Sequence, residues 1–283
     1  MKQRRTLRSS RNATLDRLSG KLKEELRKVR KSPADVEAVH DARVAARRLL
    51  AAGELWAAHV APWPSVRDRL PRLVRKLGRV RNLDIALDLL RRGPKEEAAA
   101  RKELIRRLRK LRREERGRVA DWLNSGRKIS RIDDKMKKVV RDVRQKPVLD
   151  APSPPDLAPH FARVMSLFAG RAWAPSSEEA HAIRREARRL RYAHETLEWA
   201  YEPEDFARVV KVLGRIQELA GEWHDRVILE KYAARAIRRG KAPASLSRFL
   251  ARIQAESKDL SEKFVRAASE LTDLRRVILG DIR

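Results

Sequence analysis

Val39-His40-Asp41-Ala42-Arg43-Val44-Ala45-Ala46-Arg47-Arg48-Leu49-Leu50-Ala51-Ala52-Gly53-Glu54-Leu55-Trp56 has a second version in this chain. It is Ala180-His181-Ala182-Ile183-Arg184-Arg185-Glu186-Ala187-Arg188-Arg189-Leu190-Arg191-Tyr192-Ala193-His194-Glu195-Thr196-Leu197. The offset is 181 − 40 = 141 residues and needs no gap. It pairs His40 with His181, Arg43 with Arg184, Arg47 with Arg188 and Arg48 with Arg189, then Ala46, Leu49, Ala52 and Glu54 with their counterparts. Eight of the seventeen positions from His40 to Trp56 are identical, where chance gives about one or two. The same offset pairs Asp84 with Asp225.

Both copies read as long helices. Ser32-Pro33-Ala34-Asp35 offers a cap residue, a proline where its missing N–H does no harm, and a carboxylate for the first turn. Pro62 closes the first copy; Pro175 to Glu179 opens the second, which ends before Pro203. At about 100° per residue, His40, Arg43 and Arg47 fall within roughly 60° of one another, with Ala42, Ala46, Leu49 and Trp56 behind them. In the second copy His181, Arg184, Arg188, Arg191 and Tyr192 share a face, backed by Ile183, Ala187, Leu190 and Leu197. A solvated face needs only charge, so drift between copies would exchange Arg for Lys, Glu or Gln. Three arginines and a histidine stand at matched positions instead, and arginine's fixed fork of donors suits phosphate or carboxylate.

The rest of the chain sets the frame for this repeat. A formal charge of +29 over 283 residues, with 49 arginines against 19 lysines, requires a polyanion partner or imposes self-repulsion. Cysteine is absent, which removes disulfides, thiolate metal sites and a cysteine nucleophile and is compatible with a reducing cytoplasm. The basic stretch Met1 to Asn12 has no apolar run after it, and Glu54 and His59 interrupt the best candidate for a membrane span. Leu15, Leu18, Leu22, Leu26 and Val29 predict a first helix ending near Ser32-Pro33. Val66 to Leu77 predicts another ending at Gly78, with a new one beginning at Asp84. Lys102 to Arg118 is a densely basic helix, either a solvated outer face or an extension of the basic surface. Ile129 to Val143 is amphipathic. Pro147, Pro152, Pro154, Pro155 and Pro159 then predict a stiff, extended linker near the seam of the duplication. Beyond it come helices around Phe161 to Phe168, Phe206 to Ile216 leading to Gly221 and Asp225, Val227 to Ile237, and Leu246 to Ile278. No stretch alternates with period two, so the expected class is all-α. The expected division is a first helical-bundle repeat over 1–146, a linker over 147–159 and a second repeat over 160–283.

The pattern His-x-x-Arg-x-x-x-Arg-Arg-Leu in two copies, the second running on into Arg191, Tyr192 and Glu195, resembles the CHAD family (conserved histidine α-helical domain). Leu77-Gly78-Arg79-Val80-Arg81-Asn82-Leu83-Asp84 and Leu219-Ala220-Gly221-Glu222-Trp223-His224-Asp225 resemble the segment that follows each basic helix in that family. Asn82 and His224 depart from its usual residues. The resemblance covers about residues 10 to 280. It implies two helical bundles related by a pseudo-twofold axis, a basic channel between them, and binding of inorganic polyphosphate.

The expected phosphate contacts are His40, Arg43, Arg47, Arg48, His181, Arg184, Arg188, Arg189 and Arg191, with Tyr192 adding a hydroxyl and Arg81 reaching the same cavity. Glu54 and Glu195 are expected to orient arginines through ion pairs, and Asp84 and Asp225 to cap helices or do the same. Neither metal nor cofactor is expected, and no catalytic role. His40-Asp41 and His224-Asp225 are the handle for a metal-dependent phosphohydrolase, but neighbours in a helix diverge by about 100°. Nonspecific nucleic-acid binding is the stronger rival on charge alone. Against it, aromatic residues are only 5%, and tryptophans such as Trp56 and Trp199 occupy apolar helical positions. The expected setting is the cytoplasm, in association with polyphosphate granules.

Overall fold

The computed structural model describes residues 2–58, 60–125, 127–145, 154–167, 177–238 and 245–279; the side chains of 2–11, 96, 100, 154, 155, 177, 178, 180, 181 and 245 lie outside the description. Every regular element among these residues is helical. The helices are α1 (Lys2–Lys31), α2 (Val36–Trp56), α3 (Trp63–Arg67), α4 (Leu70–Arg92), α5 (Ala98–Asn124) and α6 (Lys128–Gln145). They continue as α7 (Ala158–Ser166), α8 (Ser177–Thr196), α9 (Pro203–Arg238), α10 (Ser245–Asp273) and α11 (Arg275–Leu279). None of the described helices is long and apolar enough to cross a membrane.

Two compact units draw on both halves of the chain. The first holds Met1–Arg81, Glu114–Asp156 and Tyr192–Ala200; the second holds Asn82–Arg113, Leu157–Arg191 and Tyr201–Arg283. In the first, α1 packs on α2 and α6, and α3 on α2 and α6. The residues responsible are the periodic ones: Leu15, Leu18, Leu22, Leu26 and Val29 of α1 are buried, as are Ile132, Met136, Val139 and Val143 of α6. In the second, α9 lies along α10. Leu83, Leu87 and Leu90 of α4 join Leu104 and Leu108 of α5, Leu229 and Ala233 of α9, and Phe249 and Ile253 of α10 in one apolar cluster.

Four local expectations change. The cap of α2 is Asp35, whose carboxylate accepts hydrogen bonds from the N–H groups of Glu37 and Ala38 at 2.9 and 3.0 Å. Ser32, Pro33 and Ala34 form the preceding turn. Helix α4 runs unbroken through Gly78 and Asp84, and α9 through Gly221 and Asp225. A helical glycine costs only about 1 kcal/mol, while Leu70, Leu73, Leu77, Val80, Leu83, Leu87 and Leu90 stay buried in unbroken helical register. Of the two roles expected of Asp84, capping falls away and the ion pair is the one seen: its buried carboxylate meets Arg112 Nε at 2.5 Å from within α4. Finally, residues 154–157 form a 3-10 turn leading directly into α7, so Pro154, Pro155 and Pro159 are helical and not extended. Proline's fixed φ suits a helical first turn as well as an extended chain. Residues 147–153 of the expected linker, with His59, lie outside the described residues.

Candidate functional site: arginines bedded on helical glycines

In the first unit, α2 is clamped on its apolar side. A β-carbon built on Gly53 would lie 1.9 Å from the Trp63 ring, so the indole of α3 rests directly on bare α2 backbone. With Ala42, Ala46, Leu49 and Trp56 also buried, His40, Arg43, Arg47 and Arg48 are left half-exposed on the other side. The Arg43 guanidinium then lies over α4 at Gly78, where a β-carbon would sit 3.7 Å from Nη2 and 3.9 Å from Cζ and Nε. Arg81 follows Gly78 by three residues and shares its face. Its charge reaches His40: burial first, then Arg81 and Arg43, hold the imidazole below its ordinary value, against the opposing pull of Asp41 and Glu37. Burial and the neighbouring cations thus both oppose a proton on His40.

Arg48 is placed differently. Its guanidinium lies 5.7 Å from the centroid of the Tyr192 ring and its Nη2 lies 3.3 Å from Glu195 Oε2. The pair Glu195–Arg48 is the orienting contact expected of that carboxylate. Tyr192 is buried, with 6% of its surface exposed, and acts as a platform beneath Arg48. Trp56 meets Trp199 in the same region, with centroids 6.4 Å apart. Arg48 therefore fastens α2 to the end of α8 within this unit.

In the second unit the same device recurs. The Arg184 guanidinium lies over α9 at Gly221, with Nη2 3.6 Å from where a β-carbon would be. One face further along, Arg191 Nη1 is 3.9 Å from such a carbon at Gly214 and donates to Gln217 Oε1 at 3.0 Å. Arg188 stands between them on α8, half-exposed. Arg189 turns away: its Nη1 donates to both Glu186 oxygens at 3.0 and 3.2 Å, and Arg185 Nε donates to Oε1 at 3.0 Å. Burial pushes the Glu186 carboxyl up, but the bonds and charges of Arg185 and Arg189 outweigh it and hold it below the usual range. His160 is depressed by burial first, then by Arg163 and Arg189. The side chain of His181 lies outside the described residues, though its backbone is part of α8.

The expected residues thus divide. Arg43 with His40 and Arg81 gather around Gly78 in one unit; Arg184 and Arg191 lie along Gly221 and Gly214 in the other. Arg48 and Arg189 are held by Glu195 and Glu186. The sequence reading missed Gly78, Gly214, Gly221 and Gln217 as parts of the site. The available signal was the spacing of Gly214, Gln217 and Gly221 at three and four residues inside an unbroken apolar register. Among the described residues no three His, Asp or Glu side chains form a group that could hold a metal ion.

The CHAD domain model matches residues 13–234. The crystal structure of the CHAD domain from the plant Ricinus communis is similar at 22% identity and a TM-score of 0.72, covering 98% of this chain and 92% of that one. PptA from Streptomyces chartreusis is similar at 19% identity and a TM-score of 0.70, covering 93% of this chain and 98% of that one. At these identities the likeness is one of fold. No curated protein matches the sequence.

Proposed function

The chain belongs to the CHAD family, and on that premise we propose that it binds inorganic polyphosphate along its two repeated basic helices without transforming it. In this reading the duplication gives two bundles about a pseudo-twofold axis, the basic faces of α2 and α8 line a channel, and binding tethers the protein to polyphosphate granules in the cytoplasm. The observation that carries the reading is the repeated bed: Arg43 on Gly78 and Arg184 on Gly221, the arginines 141 residues apart and the glycines 143.

The chemistry supports it. Polyphosphate offers about one charge per phosphate along a flexible chain, so its binder needs a row of donors more than a single pocket. A guanidinium lying along bare helix backbone has already lost much of its rotamer freedom, so less is lost on binding. Arg43, Arg47, Arg184 and Arg188 supply the row, with Arg81 and Arg191 beside it. His40 adds a donor that becomes a cation when a phosphate approaches.

The test is a competition titration of labelled long-chain polyphosphate against duplex DNA and RNA near physiological salt, with wild type and a variant carrying Arg43→Gln, Arg47→Gln, Arg184→Gln and Arg188→Gln. Polyphosphate should win by orders of magnitude and the variant should lose that preference. Equal competition by all polyanions, with the variant only slightly weaker, would reduce the arginine rows to bulk charge.

A further inference from the structure

Helix α5 carries a second cationic surface that the repeated helices do not account for. From Arg101 to Arg113 it holds eight basic residues and one acidic one, Glu103. Four of the eight are engaged: Arg101 is buried against the carbonyls of Leu90, Arg91 and Pro94, Arg106 and Arg107 both bond Glu103, and Arg112 pairs with Asp84. Lys102, Arg109, Lys110 and Arg113 are exposed and make no ion pair among the described residues. On the helical wheel Lys102, Arg109 and Arg113 lie within roughly 40° of one another, with Arg106 about 20° beyond Arg113 and Lys110 about 60° beyond it. The row is about 16 Å long. Like charges three and four residues apart repel, so the stripe works against the helix unless a polyanion lies on it.

We propose that this face of α5 binds the phosphate backbone of duplex nucleic acid, independently of α2 and α8. The face has no apolar residue to enter a membrane interface: Leu111 lies about 180° from Lys102. It has no aromatic platform for single-stranded bases, since the one aromatic of α5, Trp122, is half-buried with Lys76 over its ring at 5.6 Å. It is a convex, straight row of cations. A flexible chain lying on it would give up its freedom for contacts on one side only, whereas a stiff duplex presents phosphates at fixed spacing and releases condensed counterions as they are neutralised. With carboxamides or apolar groups absent from the row, recognition is by charge and carries no base sequence.

The experiment measures binding of a labelled 20-base-pair duplex across a salt series, for wild type, for K102Q/R109Q/R113Q and for R43Q/R184Q, with thermal melts as the folding control. Each lost phosphate contact lowers the slope of log affinity against log salt by about 0.9, so the α5 variant should lose about 2.7 from the slope while its polyphosphate affinity stays within twofold. The α2/α8 variant should keep the wild-type slope. An unchanged slope in the α5 variant, or a slope lost in R43Q/R184Q instead, overturns the assignment. A parallel loss of polyphosphate affinity in the α5 variant also overturns it, by making the stripe a track for polyphosphate.

Discussion

Replacing Gly78 with alanine and with leucine separates two roles of that glycine. The Arg43 guanidinium lies 3.7 to 3.9 Å from a β-carbon at Gly78, which is ordinary van der Waals contact. Alanine therefore fits without displacing Arg43, and it removes the entropic penalty of a glycine inside α4, worth about 0.5–1 kcal/mol. Leucine extends beyond the β-carbon into the volume that Arg43 fills, and forces the guanidinium off its bed. One charge-assisted phosphate contact is worth about 1.5–3 kcal/mol, so G78L should bind polyphosphate about 10- to 100-fold more weakly. The assays are denaturant unfolding for stability and fluorescence titration with labelled polyphosphate for affinity. G78A should unfold at higher denaturant and bind as wild type does; G78L should fold and lose affinity. If G78A weakens binding as much as G78L, or if G78L binds normally, the bed is not what positions Arg43. The equivalent pair at Gly221, where the contact with Arg184 is 3.6 Å, should behave the same way.

Three further outcomes are expected. Gly53→Ala places a β-carbon inside the Trp63 ring, 1 % exposed and unable to withdraw, so it should destabilise by about 2 kcal/mol net of helix propensity, whereas Gly117→Ala meets nothing within 4 Å and should stabilise by about 0.5–1 kcal/mol; paired thermal melts compare them. His40 is depressed by burial, Arg81 and Arg43, and an anion beside it raises its pKa, so polyphosphate binding takes up a proton and should strengthen as pH falls from about 7.5 to 5.5. The folding contribution has the opposite sense, because the unfolded chain holds that proton more readily and stability is lost as pH falls through the unfolded value; His40→Asn should flatten both profiles in pH-series titrations and melts. Arg101→Gln withdraws a buried guanidinium from the carbonyls of Leu90, Arg91 and Pro94 at the end of α4, and should cost about 3 kcal/mol of stability in denaturant unfolding with little change in polyphosphate affinity.

The amino-acid sequence by itself determined the helical class, the register of each buried face and the repeat that singles out His40, Arg43 and Arg47 with their counterparts. These are local or periodic properties: an apolar residue every three or four positions fixes which side of a helix is buried, whatever packs there. The sequence also gave reason to end helices at Gly78 and Gly221, because a glycine weakens a helix when it is considered alone. Tertiary structure decided otherwise, since the apolar register on either side kept α4 and α9 whole and left each glycine as a bed for an arginine from a distant segment. It also decided what holds Arg48 and Arg189. The helical register already turns Arg48 about 100° from Arg47 and Arg189 about 100° from Arg188, but it does not name their partners. Arg48 meets Glu195 and Tyr192, and Arg189 meets Glu186. An ion pair depends on which carboxylate the fold brings within reach of a long, flexible side chain, and that distance is set by packing between helices far apart in the chain.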